Sequence, residues 1–160
     1  VNIFRHRLAG LPALVILATA VGCSATDGAA KAAVPSPDAK VTGVCRKLDK
    51  KLPEKVSGLE RKDPDPQSAL TAGWGDPAII LRCGVPRPGE MDDPEADGVD
   101  VNGVGWLLQK RDDDSFRLTT TLRTAYVEVT LPKERTDGGL GPLTDLAEPI
   151  SRTIPKGVAG

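Results

Sequence analysis

In three stretches between Val101 and Leu131 apolar side chains recur at every second position, a pattern that suits strands with one buried face. Val104, Trp106 and Leu108 share one side. Lys110 to Ser115, with Asp112, Asp113 and Asp114, supplies a polar hairpin turn, and Phe116, Leu118 and Thr120 continue on the next strand. Ala125, Val127, Val129 and Leu131 then alternate with Tyr126, Glu128 and Thr130. The second set is expected on an exposed strand face. It forms the candidate contact surface, with Tyr126 as anchor, because aromatic side chains often carry binding energy.

Upstream, Gly75, Asp76 and Pro77 form a turn before a short apolar run, Ala78 to Leu81, that reads as a buried strand leading to Cys83. Leu70, Ala72 and Trp74 alternate before that turn, and Val56 to Arg61 reads as a short edge strand. Two segments have helical spacing instead. Val44, Cys45, Leu48 and Leu52 share one face until Pro53 stops the pattern. Leu143, Leu146, Ala147, Ile150 and Ile154 form the second stripe, with Pro142 in its first turn. Pro149 interrupts that stripe, which predicts a kink or two short helices. The expected fold class is α+β: an N-terminal helix, an antiparallel sheet of five or six strands, and a C-terminal helix packed on one face.

The N-terminal end has a different composition. Arg5, His6 and Arg7 precede an apolar run, Leu8 to Gly22, which is the layout of a secretory signal and short for a membrane span. Ala20-Val21-Gly22-Cys23 resembles a bacterial lipobox, in which the cysteine thiol receives a diacylglycerol. Cys23 is therefore the expected lipid attachment site, and two or more acyl chains such as palmitate would anchor it stably, at about 0.8 kcal/mol per buried methylene. The chain has three cysteines. With Cys23 lipidated, Cys45 and Cys83 remain, and a disulfide between them is expected; the rival use as a metal site lacks partner ligands. The expected organisation is a lipoprotein signal peptide over 1–22, a lipidated cysteine and flexible tether over 23–40, and a single domain over 41–157.

Losing Arg5 and Arg7 with the signal, and no acid, takes the net charge from −1 to −3. Such a chain lacks the basic footprint of a nucleic-acid binder, so no nucleic-acid partner is expected. The single histidine, His6, falls in the signal, so histidine-based acid–base, nucleophilic and metal chemistry is excluded from the mature chain. Gly89 to Asp100 concentrates Glu90, Asp92, Asp93, Glu95, Asp97 and Asp100 without one base. Asp93 to Gly98 opens like a calcium loop, but Val104 stands where a bidentate glutamate is needed, and a solvated loop is expected instead. No cofactor or metal is expected. Paired carboxylates remain as an acid–base device.

The lipobox Cys23, Cys45 followed by Leu52-Pro53, the Trp74-Gly75-Asp76-Pro77 turn, Leu81-Arg82-Cys83-Gly84-Val85, Gly103-Val104-Gly105-Trp106 and Leu131-Pro132 together resemble an uncharacterised lipoprotein family of high-GC Gram-positive bacteria, domain of unknown function 3515. The resemblance spans Val41 to Ile154. It implies an envelope setting and assigns no catalytic residues. The expected function is a membrane-tethered, non-enzymatic binding or assembly module on the extracytoplasmic face. Its partners would be the membrane, through Cys23, and an envelope protein or cell-wall polymer. The alternatives are an envelope hydrolase using acidic residues and a purely structural surface lipoprotein.

Overall fold

A computed structural model describes residues 28–159. The signal segment and Cys23 lie outside the described residues. Among those residues no helix is long and apolar enough to cross a membrane.

The alternating segments form one antiparallel sheet of six strands: β3 (Thr71–Trp74), β4 (Ile79–Cys83), β5 (Gly98–Val101), β6 (Val104–Lys110), β7 (Phe116–Thr120) and β8 (Val127–Leu131). Their spatial order is β3-β4-β8-β7-β6-β5. The register aligns Ala72, Leu81, Val129, Leu118 and Leu108 across five strands, so the period-two pattern becomes a continuous apolar face. A separate hairpin, β1 (Lys55–Val56) with β2 (Leu59–Glu60), replaces the single edge strand expected over Val56 to Arg61.

Helices α1 (Ala39–Asp49) and α2 (Gly141–Thr153) cover the apolar face. Asp38 caps α1 by accepting from the Val41 N–H at 2.8 Å, and the helix buries Cys45 and Leu48. Cys45 is bridged to Cys83 at the end of β4, with their Cα atoms 5.6 Å apart. Helix α2 buries its whole apolar stripe, Leu143, Leu146, Ala147 and Ile150, with Ile154 at its C-cap. Pro149 does not split it into two short helices, one of the two outcomes expected. The proline is itself buried, and packing of the turns on either side outweighs the one backbone bond it cannot donate. Trp74 is a core residue, fully enclosed, with its indole N–H donating to the Pro53 carbonyl at 3.0 Å.

Two connections depart from the expected organisation. The segment expected to be a flexible tether is held against the domain over Ala30–Pro37. Asp65 exchanges backbone bonds with Ala30 and Ala32 at 2.8 and 3.2 Å, and Arg82 Nε donates to the Ala33 carbonyl at 2.9 Å. Pro37 crosses directly over Gly84, where a Cβ would stand 2.6 Å from the proline ring and where φ is +88°. Only glycine fits both conditions. The acidic stretch, expected to be a solvated loop throughout, ends in strand β5. Asn102 and Gly103, at φ 52° and 80°, turn β5 into β6, the geometry that favours Asn-Gly in two-residue hairpins.

Candidate functional site

The sheet face turned away from the helices is polar at its centre and carries a cleft at one end. Tyr126, Glu128 and Thr130 point to this face, as the alternation predicts, but they are not an exposed contact surface. Tyr126 is 4% exposed and Glu128 7% exposed, while Thr130 is half-buried. The reason is topological. Strand β8 is central, and the long side chains of its neighbours fold over it. Arg82 of β4 donates to Glu128 at 3.0 Å, and Arg117 of β7 lies 3.4 Å from its other oxygen. Glu128 is the one buried carboxylate among the described residues, and two guanidiniums occupy it.

Tyr126, just before β8, is covered by the chain that leaves β4. This chain passes Val85, Pro86 and Arg87, makes a 3-10 turn at Gly89–Asp92, and reaches the far edge of the sheet at β5. Between this connection and the sheet lies a cleft of about 460 Å³. Gly105, Leu107, Thr121 and Tyr126 line its sheet side, while Arg87, Met91, Asp93 and Asp97 belong to the overlying connection. Leu122 and Val158 line it as well, exposed by 70% and 67%. A Cβ on Gly105 would meet the Thr121 hydroxyl oxygen at 2.5 Å, so glycine admits the close approach of Thr121 there. A second hollow of about 510 Å³, lined by Pro37, Val41 and Val85 among others, shares Arg87 and Tyr126 with the first.

Leu122 is unusual on two counts. It is a large apolar side chain in the open, and its φ of 51° is a conformation that leucine rarely adopts. Its position is over-determined by its neighbours. The Leu122 carbonyl accepts from Gly157 at 3.0 Å, Thr124 N–H donates to Pro155 at 3.0 Å, and Thr121 N–H donates to Gly105 at 2.8 Å. The guanidinium of Arg123, 3% exposed, donates to Ile154 at 2.9 Å and Gly103 at 3.0 Å.

Electrostatically the cleft is acidic. Arg87 is paired with Asp92 at 2.8 Å, and that hydrogen bond with the guanidinium charge holds the Asp92 carboxyl below its ordinary value. Asp93, Asp97 and Asp100 also line the cleft, are exposed, and make no ion pair among the described residues. Asp93 accepts from Glu95 N–H and Asp100 from Gly103 N–H, both at 2.9 Å. Among the described residues no three acidic or thiol side chains converge to hold a metal ion. The stretch that opens like a calcium loop does not wrap, because Gly98 begins a strand.

A family model described as a protein of unknown function, DUF3515, matches residues 8–158. The chain belongs to this family. No curated protein and no solved structure matches it. In this DUF3515 chain the motif residues have structural roles: Cys83 forms the bridge, Gly84 admits Pro37, and Gly105 admits Thr121. The hairpin turn Asp112–Asp114 is likewise structural. Asp113 accepts the Ser115 hydroxyl and N–H, and Asp114 pairs with Lys110 and Lys133, which lowers both carboxyls. Arg87, Leu122 and Arg123 carry no sequence signature that singles them out. Leu122 is seen only through its backbone angle, and Arg123 only through carbonyls that folding brings to it.

Proposed function

We propose that this DUF3515 chain is a membrane-tethered, non-enzymatic binding module whose ligand enters the cleft beneath the Arg87–Asp97 connection. The observation that carries this reading is the mouth of the cleft. Two large apolar side chains, Leu122 and Val158, are left in the open beside it, one of them on a strained backbone. Exposed apolar surface beside a concavity favours binding. A carboxylate general acid needs an apolar, water-poor pocket to stay protonated near neutral pH. Asp93, Asp97 and Asp100 are all exposed, and the buried Glu128 is engaged by two arginines.

The tether belongs to the same reading. Four residues separate Cys23 from Gly28, and the five steps between them reach about 18 Å at most. Gly28 lies by Lys62 and Asp76, next to the β3–β4 turn. A lipid on Cys23 would therefore hold the β3 side near the membrane. The cleft lies toward β5, five strand spacings away, roughly 24 Å.

Three experiments test this reading. A neutral naphthalene dye is expected to bind the purified domain saturably and to bind at least fivefold more weakly to Leu122→Asp. The same protein incubated with isolated cell-wall material is expected to release no soluble fragments. Fragment release that disappears when Asp93, Asp97 and Asp100 are changed together to Asn would establish the hydrolase instead. For the anchor, Cys23→Ala is expected to move the protein from the membrane fraction to the soluble fraction or to leave an unprocessed precursor. Processing and partitioning identical to the parent would defeat the lipidation.

A further inference from the structure

The two edges of the six-stranded sheet are treated differently. Along β3, Lys62 N–H donates to the Gly73 carbonyl at 2.8 Å, Gly75 N–H donates to Glu60 at 3.1 Å, and Arg61 bridges to Trp74. That edge is closed. Among the described residues strand β5 pairs only with β6. Leu108 N–H donates to the Asp97 carbonyl at 2.8 Å, which fixes the phase of the β5–β6 ladder. In an antiparallel pair the inward-bonding residues alternate, so Val99 and Val101 face β6 while the N–H and C=O groups of Gly98 and Asp100 face outward. An open row of backbone donors and acceptors is a template for another strand.

The cleft runs alongside this edge, since Asp97, Gly98, Val99 and Asp100 all line it. The carboxylates of Asp93, Asp97 and Asp100 are without ion pairs among the described residues, and the one arginine of the cleft is engaged by Asp92. An occupant that pairs with the backbone of β5 would place alternate side chains over these carboxylates. Resting on the binding-module reading, we infer that the occupant is an extended, basic segment of a partner protein that adds to β5 as a seventh strand, its lysine or arginine side chains over Asp93, Asp97 and Asp100. Main-chain bonds supply affinity in this mode and alternate side chains supply selectivity. A small amine satisfies the charge but leaves the groups of Gly98 and Asp100 without the partner a strand provides.

The test titrates the folded domain with a fluorescent, end-blocked Lys-Val-Lys-Val-Lys-Val peptide at low salt. Saturable binding is expected, at least tenfold weaker when glutamates replace the lysines. Binding to the Asp93→Asn, Asp97→Asn, Asp100→Asn triple variant is also expected to weaken at least tenfold. N-methylation of alternate peptide bonds, which preserves charge and side chains, is expected to abolish binding in one register and leave it within threefold in the other. Equal binding of both methylated peptides, equal binding of the glutamate peptide, or spermidine competing at the peptide's own affinity would overturn the strand-addition proposal. If the neutral dye still binds and no peptide does, the cleft stands as a binding site and this occupant is wrong. If the dye does not bind either and wall material is cleaved, the underlying reading has failed too.

Discussion

Replacing Cys45 and Cys83 together by alanine is expected to lower the melting temperature by roughly 10–20 °C, from a stability loss of about 4 kcal/mol. The size follows from the separation of 38 residues, since closing a loop of that length restricts the unfolded chain. Both cysteines are almost fully enclosed, so the alanines also leave small voids in the core. The bridge fastens α1 to β4, and α1 begins just after Pro37, the residue that crosses Gly84. Loosening it should therefore disturb the hollow lined by Pro37, Val41 and Val85 before it reaches the cleft at β5. Calorimetry of the parent and the double variant checks the temperature, and non-reducing peptide mapping checks the pairing. A shift under about 3 °C, or free thiols at both positions in the parent protein, would show that the bridge does not hold the fold.

The sheet and helices were legible because each obeys a single period over several turns or residues. The stretches Val104 to Leu108, Phe116 to Thr120 and Ala125 to Leu131 each alternate, and the stripe from Leu143 to Ile154 keeps helical spacing through Pro149. The missed strand, β5, is four residues long and buries only Val99 and Val101 in part, so its pattern was swamped by the acids around it. Asn102-Gly103 was the available signal. The docking of Ala30–Pro37 had no side-chain signature, because backbone groups make most of its bonds. Tyr126 and Glu128 show a different failure. Alternation identifies the face of a strand, but whether that face meets water depends on what crosses it. Here arginines from adjacent strands and the chain after Pro86 cross it.

Arg123→Met is expected to destabilise the domain by about 3 kcal/mol and to weaken dye and peptide binding at the cleft. Arg123 makes no ion pair among the described residues, yet it is buried. Its charge is balanced by backbone oxygens: that of Ile154, at the C-terminal end of α2, and that of Gly103, in the β5–β6 turn. A helix C-terminus carries partial negative charge and favours a cation there. Each charge-assisted bond contributes roughly 1.5–3 kcal/mol, and methionine would leave both carbonyls without this donor. Removing the cost of burying a charge offsets part of the loss, which is why the expected figure stays near the lower end of the sum. Functionally, Arg123 joins the end of α2, the turn that starts β6 and the segment bearing Leu122. Losing it should release Leu122 from its left-handed conformation and blur the mouth of the cleft. Arg123→Lys separates the two effects, because it keeps the charge but cannot fork to both carbonyls. It is expected to recover about half of the stability and little of the binding. Urea unfolding and dye titration of both variants check this, and a methionine variant as stable as the parent with unchanged binding would show that Arg123 fastens nothing.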